Sequence, residues 1–203
     1  MGRTNYWRGA IWLVAMFVGQ AAQATVLHAV PQAAQAVAMA ERVLALAANH
    51  KWPFAIVDKK AAMLMVYHSD GRLAGATPVL LGRDPGDHTV PGVGSRTQSA
   101  QLQAGDRTTP AGRFESEPGH NLAGEALIWI DYASALAIHR LRSGPSEQGR
   151  AQRLSSPRLQ DRRVSAGCVV VPVVFYDTVV QPLLGYGRGV VVVMPEAGPQ
   201  QAL

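Results

Sequence analysis

Short apolar runs separated by turn-forming residues dominate the chain from Pro53 onward. The runs alternate with clusters of Gly, Pro, Asp, Asn and Ser, a pattern typical of strands joined by turns. The predicted strands are Phe54–Asp58, Ala62–Tyr67, Leu73–Gly82, Gly112–Glu117, Ala126–Tyr132, Ala135–Arg140 and Gly189–Met194. This spacing predicts a mainly β (α+β) domain, a sandwich or barrel, with one or two attached helices.

Two other segments have the composition of helices. Pro31–Asn49 is rich in Ala, Leu, Met and Gln, which are strong helix formers, and Trp52-Pro53 ends it. Pro172–Leu184 begins with proline, which favours the first turn of a helix, and forms the second predicted helix. Asp84–Gly105, between the strands, is polar and Gly-rich and is predicted to be a long loop.

The first 24 residues have the features of an export signal. Arg3 and Arg8 precede an apolar run at residues 10–19, and Ala22 and Ala24 form a small-x-small cleavage pattern. The alternative is an uncleaved membrane anchor, but the run is shorter than the roughly 20 residues of a spanning helix. We therefore expect export, most simply to the periplasm, and no transmembrane span after cleavage. The predicted divisions are a signal peptide (1–24), a helical lead-in (25–52), the β domain (53–195) and a flexible tail (196–203).

Composition and charge narrow the possible functions. Hydrophobic residues make up 48% of the 203, which argues against global disorder. Removing residues 1–24 takes away two arginines and no acidic residue, so the formal net charge falls from +5 to +3. Between His139 and Cys168 there are seven arginines and two acidic residues. Such a stretch is either a solvated loop or a carboxylate-binding insert. Zinc-ligand spacing, aromatic–basic interleaving and a helix-turn-helix pattern are missing, so the sequence predicts no nucleic-acid partner.

Cys168 is the single cysteine of the chain, so it cannot form an internal disulfide. It is either a small buried hydrophobe or a reactive thiol kept for chemistry, and predicted export favours the second interpretation. All six histidines precede Cys168, an order that disfavours papain-like peptidases. The candidate base nearest in sequence is His139, at the end of the predicted strand A-L-A-I-H-R. A histidine there can equally be a satisfied core residue.

Three motifs taken together resemble one known family. They are T-P-A-G-R-F at Thr109–Phe114, I-H-R at Ile138–Arg140 and S-A-G-C at Ser165–Cys168. In this order they resemble the L,D-transpeptidase catalytic domain family (YkuD-type), over roughly Pro53–Pro195. The resemblance implies a β-sandwich or barrel-like domain with an N-terminal helix and a helix after the cysteine.

The resemblance also implies a reaction and a set of site residues. Cys168 would attack the carbonyl of an L,D-peptide bond in a peptidoglycan stem peptide, with His139 as the base, and D-alanine would leave. The resulting thioester would be resolved by an amine, or by water in a hydrolase, without metal or cofactor. The residues expected to support the site are Gly167, Ser165, Ala166 and Arg140, with Arg163 and Arg142 as candidate substrate-binding residues.

The chain departs from the family pattern at three points. Ala166 stands where histidine is common, Val170 stands where asparagine or arginine is common, and the 29-residue separation of His139 and Cys168 is long. G-C-V-V-V-P resembles a branch with a longer arginine-bearing insert. The departures leave open a catalytically weak member that binds cell-wall peptide or a protein partner. A third alternative is a sortase-like transpeptidase that uses Arg188.

Overall fold

Ten strands are formed within the residues that the computed structural model describes, which are 34–142, 144 and 147–197. The strands are β1 Phe54–Asp58, β2 Met63–Tyr67, β3 Leu73–Pro78, β4 Leu81–Gly82, β5 Gly112–His120, β6 Ala126–Asp131, β7 Leu136–Arg140, β8 Arg163–Ser165, β9 Val169–Val171 and β10 Gly189–Met194. The helices are α1 at 34–45, α2 Val93–Gln98 and α3 Glu147–Leu154, followed by a 3-10 turn at Leu159–Arg162. Helix α4 is continuous through Val173–Phe175, a π turn Tyr176–Val180, and Gln181–Leu184.

Eight of the strands form one sheet, in the order β3-β2-β1-β10-β5-β6-β7-β9. Strands β4 and β8 form a separate parallel pair. Leu80, between β3 and β4, exchanges two backbone hydrogen bonds of 2.9 Å with Val170 of β9. These bonds bring the two outer edges of the sheet together, so the sheet is nearly closed. The predicted mainly β class with attached helices is confirmed.

The central strands β1 and β10 are buried on both faces, because their alternate side chains enter two different cores. Ala55 and Val57 face the interior of the curved sheet, which α4 fills with residues such as Tyr176. Phe54 and Ile56 face outward and pack against α1. The α1 residues in this contact, spaced along one helical face, are Ala36, Met39, Ala40 and Val43.

Several predicted elements differ from those in the structure. The predicted strand Leu73–Gly82 is divided into β3 and β4, because Leu80 turns to pair with Val170. The predicted long loop Asp84–Gly105 contains α2, and the arginine-rich stretch contains the unpredicted α3 and β8.

The ends of the chain are described only in part. The predicted signal peptide lies outside the described residues. Within the described ranges, no helix combines the length and hydropathy needed to cross a membrane. Glu196 and Ala197, placed in a flexible tail from sequence, donate their backbone N–H groups to Asp87 at 2.8 and 3.0 Å. The rest of the predicted tail, 198–203, is outside the described residues.

Candidate active site

A cavity of about 530 Å³ lies on the outer face of β6, β7 and β9. Strand alternation separates this face from the core. On β7, Leu136 and Ile138 enter the core, whereas Ala137 and His139 line the cavity. On the segment leading into β9, Cys168 lines the same cavity. The structure therefore brings the predicted nucleophile and base onto one concave surface.

The Cys168 thiol is half-buried and held by the backbone of β7. Its Sγ donates a hydrogen bond to the carbonyl oxygen of Ala135 at 3.4 Å. Burial raises the pKa of the Cys168 thiol, while the Ala137 N–H and the charge of Arg142 act in the opposite direction. In the free protein the sulfur is therefore a neutral thiol at neutral pH.

His139 is oriented by its own strand. Its Nδ1 lies 2.8 Å from the Arg140 carbonyl oxygen, which can only accept, so Nδ1 carries the proton and Nε2 has the lone pair. Burial is the main cause that lowers the His139 pKa to about 4, and the charges of Arg142 and Arg150 lower it further. The imidazole is thus neutral at pH 7 with a free lone pair on Nε2, and its low pKa makes it a weak base in the free protein.

The pairing register of β7 and β9 shows where Cys168 and His139 lie relative to each other along the strands. In the parallel pairing of β7 with β9, Ile138 lies opposite Val169 and His139 opposite Val170. Cys168 is therefore level with Ala137, about 7 Å along the strands from His139. The Sγ hydrogen bond to Ala135 points away from the imidazole. Among the described side chains, the thiol donates to Ala135 and forms no hydrogen bond with His139.

The loop that carries Cys168 is braced by two hydroxyl groups. Ser165 Oγ donates to the Cys168 carbonyl oxygen at 2.7 Å and accepts the Gly167 N–H at 3.1 Å. Thr109 Oγ1 donates to the Gly167 carbonyl oxygen at 2.6 Å and accepts the Gly82 N–H at 2.8 Å. Ser165 thus holds the loop shape, and the turn at Thr109-Pro110, the T-P turn, is hydrogen-bonded to Gly167, the residue before Cys168.

Gly167 is required by this geometry. Its φ is +126°, in the region that favours glycine, and an added Cβ would lie 3.0 Å from the Thr108 carbonyl oxygen. Its N–H donates to Ser165 Oγ in this structure. Ala166 is exposed at the cavity rim, so the position where the family commonly has histidine opens the site to solvent.

A buried charged network behind the T-P turn was missed at the sequence level. The Lys59 side chain is fully buried and donates to the carbonyl oxygens of Gly86 and Thr109 at 2.7 and 2.9 Å. It also pairs with Asp87 at 2.5 Å, an interaction that lowers the Asp87 pKa and opposes the lowering of the Lys59 pKa by burial. Lys59 therefore holds the T-P turn through the Thr109 carbonyl oxygen, while the Thr109 hydroxyl binds Gly167. In the sequence it is one of two adjacent lysines at a predicted turn, with no signal of burial.

The arginines chosen from sequence separate into two groups. Arg142 lines the cavity and forms an ion pair with Glu125 at 3.1 Å. Arg140 is on the other face of β7, where it pairs with Asp177 at 3.1 Å and lies over the Tyr176 ring. The Arg140 side chain is therefore engaged on the core side of β7, and Arg140 contacts the candidate site through its carbonyl oxygen, which orients His139.

Arg163 and Arg188 are also engaged away from the cavity. Arg163 donates to the Lys59 carbonyl oxygen at 3.0 Å and pairs with Glu196, so it joins the turn after β1 to the segment after β10. Arg188, the candidate of the sortase-like alternative, lies 3.7 Å from the carboxylates of Glu115 and Glu117. Neither arginine is among the cavity-lining residues in the described structure.

The packing of Val170 against Leu154 connects two of the departures noted in the sequence, the valine at position 170 and the long separation of His139 and Cys168. Val170 is 2% exposed and belongs to a small apolar cluster with Leu80, Leu141 and Leu154. Leu154 is the last residue of α3, the helix within the long stretch between His139 and Cys168. An apolar residue at position 170 therefore anchors the insert. The same insert brings Arg150, which the sequence analysis did not select, into the cavity lining.

Comparisons with known proteins find similarity at the level of structure. No family model matches the chain, and no curated protein matches it significantly. The helical cell shape determining protein Pgp2 from Campylobacter jejuni aligns over 72% of this chain with 17% identity and a TM-score of 0.48. This chain covers only 49% of Pgp2, about half its length.

Two L,D-transpeptidase structures are also similar to this chain. The L,D-transpeptidase from Mycobacterium smegmatis aligns over 70% of this chain and 58% of its own, with 16% identity and a TM-score of 0.39. The catalytic domain of the E. faecium L,D-transpeptidase aligns over 71% of this chain and 98% of its own, with 20% identity and a TM-score of 0.39. At these identities and TM-scores the likenesses assign no activity to this chain.

Proposed function

We propose that the protein is an exported cysteine acyltransferase that forms a thioester on Cys168, with His139 as the base. The observation that carries this proposal is the shared cavity: a thiol and an imidazole with a free Nε2 lie on the same face of adjacent parallel strands. A nucleophile and a base in one pocket, with the base oriented by a third group, is the arrangement of covalent acyl transfer.

The proposed reaction begins from the neutral pair. Cys168 leaves the Ala135 carbonyl, its thiol proton passes to His139 Nε2, and the sulfur attacks the substrate carbonyl carbon. When the tetrahedral intermediate collapses, the C–N bond breaks and the imidazolium returns the proton to the departing amine. An acceptor amine, or water, then attacks the thioester and restores the thiol. The low pKa of His139 favours rapid return of the proton to the amine.

Peptidoglycan stem peptides are the proposed substrate class, with L,D-transpeptidation in the cell wall as the reaction. This part rests on the resemblance of T-P-A-G-R-F, I-H-R and S-A-G-C to the L,D-transpeptidase motifs. The hydrogen bond between Thr109 and Gly167 supports it, because it joins two of those motifs directly.

The test is intact mass spectrometry after incubation with a carbapenem, comparing the parent with Cys168→Ala. We expect a covalent adduct on the parent and none on the variant. His139→Gln should slow adduct formation by about 10²-fold or more, since general base catalysis contributes factors of that order. Full exchange of D-amino acids in muropeptides by Cys168→Ala would refute the proposal.

A catalytically weak, peptide-binding protein is the second candidate, favoured by the raised pKa of Cys168 and its hydrogen bond to Ala135. Iodoacetamide labelling separates the two readings. A thiol that resists labelling in the folded protein, even with bound stem peptide, but reacts in urea supports the binding role. A thiol that reacts readily with the carbapenem excludes it.

A further inference from the structure

The cavity beside Cys168 has a one-sided charge distribution. Among the described residues that line it, two are arginines and none is Asp or Glu. Arg142 is partly neutralised by Glu125, which in turn accepts a hydrogen bond of 2.6 Å from Asn121. Arg150, half-buried in the wall, has no acidic partner among the described side chains. The cavity therefore offers a guanidinium donor to an anion.

Arg150 is placed there by packing. It lies on α3, whose last residue Leu154 is buried against Val170 and Leu80. The neighbouring Arg153 of the same helix is exposed and donates to the Asp161 carbonyl oxygen at 3.2 Å, outside the cavity. One helix thus carries a cavity-facing arginine and a solvent-facing one, which gives a matched control.

The rest of the lining limits the shape of the ligand. Trp129 and Tyr132 form an edge-to-face pair with ring centroids 4.9 Å apart, and Leu122 and Leu127 lie beside them in the lining. An aromatic and aliphatic wall with a guanidinium on one side fits an anion attached to an apolar or peptidic body. A small inorganic anion would leave this wall uncovered.

The position of the cation relative to the base identifies which end of the substrate it meets. Arg142 and Arg150 lie near enough to His139 for their charges to act on it. His139 Nε2 delivers its proton to the leaving nitrogen, so the leaving amino acid lies beside the imidazole. In an amino acid the carboxylate is one carbon removed from that nitrogen, and His139, Arg142 and Arg150 line the same cavity.

We propose that Arg150, assisted by Arg142, forms a subsite for the free α-carboxylate of the leaving residue of the acyl donor. This inference rests on the proposed function, in that it takes the ligand to be the acyl-donor peptide. Its consequence is positional: the protein acts on the last peptide bond of its donor, and a peptide extended by one residue, or blocked at its carboxylate, is a poor donor.

The test measures binding without turnover. A stem tetrapeptide ending in D-alanine, as the free acid and as the C-terminal carboxamide, is titrated by calorimetry into Cys168→Ala protein. Arg150→Gln and Arg153→Gln are then added separately to that background. We expect the free acid to bind roughly tenfold or more tightly than the amide, as for a hydrogen bond to a charged group. Arg153→Gln should keep this ratio, and Arg150→Gln should reduce it to less than twofold.

The outcomes distinguish this subsite from the proposed chemistry. An acid-to-amide ratio that Arg150→Gln leaves unchanged would overturn the subsite, even if Cys168 forms a carbapenem adduct. Equal binding of acid and amide to the Cys168→Ala protein would overturn it as well. A ratio that depends on Arg150 in a protein whose Cys168 is never acylated would keep the subsite and refute the acyltransferase.

Discussion

Replacing Thr109 by valine removes the hydroxyl that joins the T-P turn to the loop that carries Cys168, at almost constant side-chain shape. Thr109 is 0% exposed, and its Oγ1 serves two backbone groups, the Gly167 carbonyl at 2.6 Å and the Gly82 N–H at 2.8 Å. Both glycines are buried, so water cannot replace the lost partner. The variant therefore leaves one acceptor and one donor unsatisfied in the interior.

The expected magnitude follows from these two bonds. Each buried group left without a partner costs about 1–3 kcal/mol, so Thr109→Val should lower the free energy of unfolding by about 2–6 kcal/mol. Thr109→Ser is the matched control, because it keeps the hydroxyl and loses one methyl group, at about 1 kcal/mol. A typical domain is stable by only about 5–15 kcal/mol, so the difference between the variants is readily measured.

Urea unfolding followed by circular dichroism gives both free energies. At urea concentrations where both variants are folded, the rate of carbapenem adduct formation at Cys168 should also be lower in Thr109→Val than in Thr109→Ser, because the Gly167 carbonyl is no longer fixed. Equal unfolding free energies for the valine and serine variants, within about 0.5 kcal/mol, would refute the role given to this hydroxyl.

Three further predictions concern the same face of the domain. Gly167→Ala should destabilise the fold by about 1–3 kcal/mol, the usual cost of a strained backbone conformation, because of its φ of +126° and the nearby Thr108 carbonyl; an unchanged melting temperature would contradict this. Burial lowers the His139 pKa to about 4 in the folded protein, whereas the unfolded imidazole titrates near its usual value. The unfolded state therefore takes up the proton first as pH falls, and stability should decline by ~1.4 kcal/mol per pH unit between about pH 6.5 and 4. In urea titrations across that range His139→Gln should show a shallower decline than the parent, and identical slopes would count against it. Val170→Asn places an amide in the cluster that holds α3, at about 1–3 kcal/mol; limited proteolysis should then cut within residues 141–162 faster than in the parent, and equal rates would show that Val170 does not anchor the insert.

The parts of the fold that sequence predicted are those with a strong local pattern. Strands β1 and β10 are uninterrupted apolar runs, and α4 begins after a proline, so each is evident without tertiary information. The short strand β8 and the helix α3 carry no comparable pattern. Helix α3 is polar along most of its length, and its docking depends on a single buried leucine, Leu154.

The candidate site likewise combines residues that the sequence pattern predicts with residues that only the fold identifies. Motif order singles out Cys168 and His139, which line one cavity in the structure. The arginines around them share one side-chain chemistry and differ only in the direction of their side chains. Strand alternation would have turned Arg140 away from the face of His139. The role of Lys59 could not be predicted from the sequence. Lys59 differs from its exposed neighbour Lys60 only because the T-P turn packs against it in the folded domain.

The parallel pairing of β1 with β10 has a consequence for how the chain folds. Phe54 lies opposite Val190 in the middle of the large sheet, so the first and last strands of the described chain are direct neighbours. Such contact between distant segments slows folding, because a long loop must close before the pairing contributes any stability. A chain that stops before Gly189 would expose the edges of β1 and β5 together, and bare edges promote aggregation. Because β10 pairs with both β1 and β5 at the centre of the sheet, we expect the domain to fold as one cooperative unit.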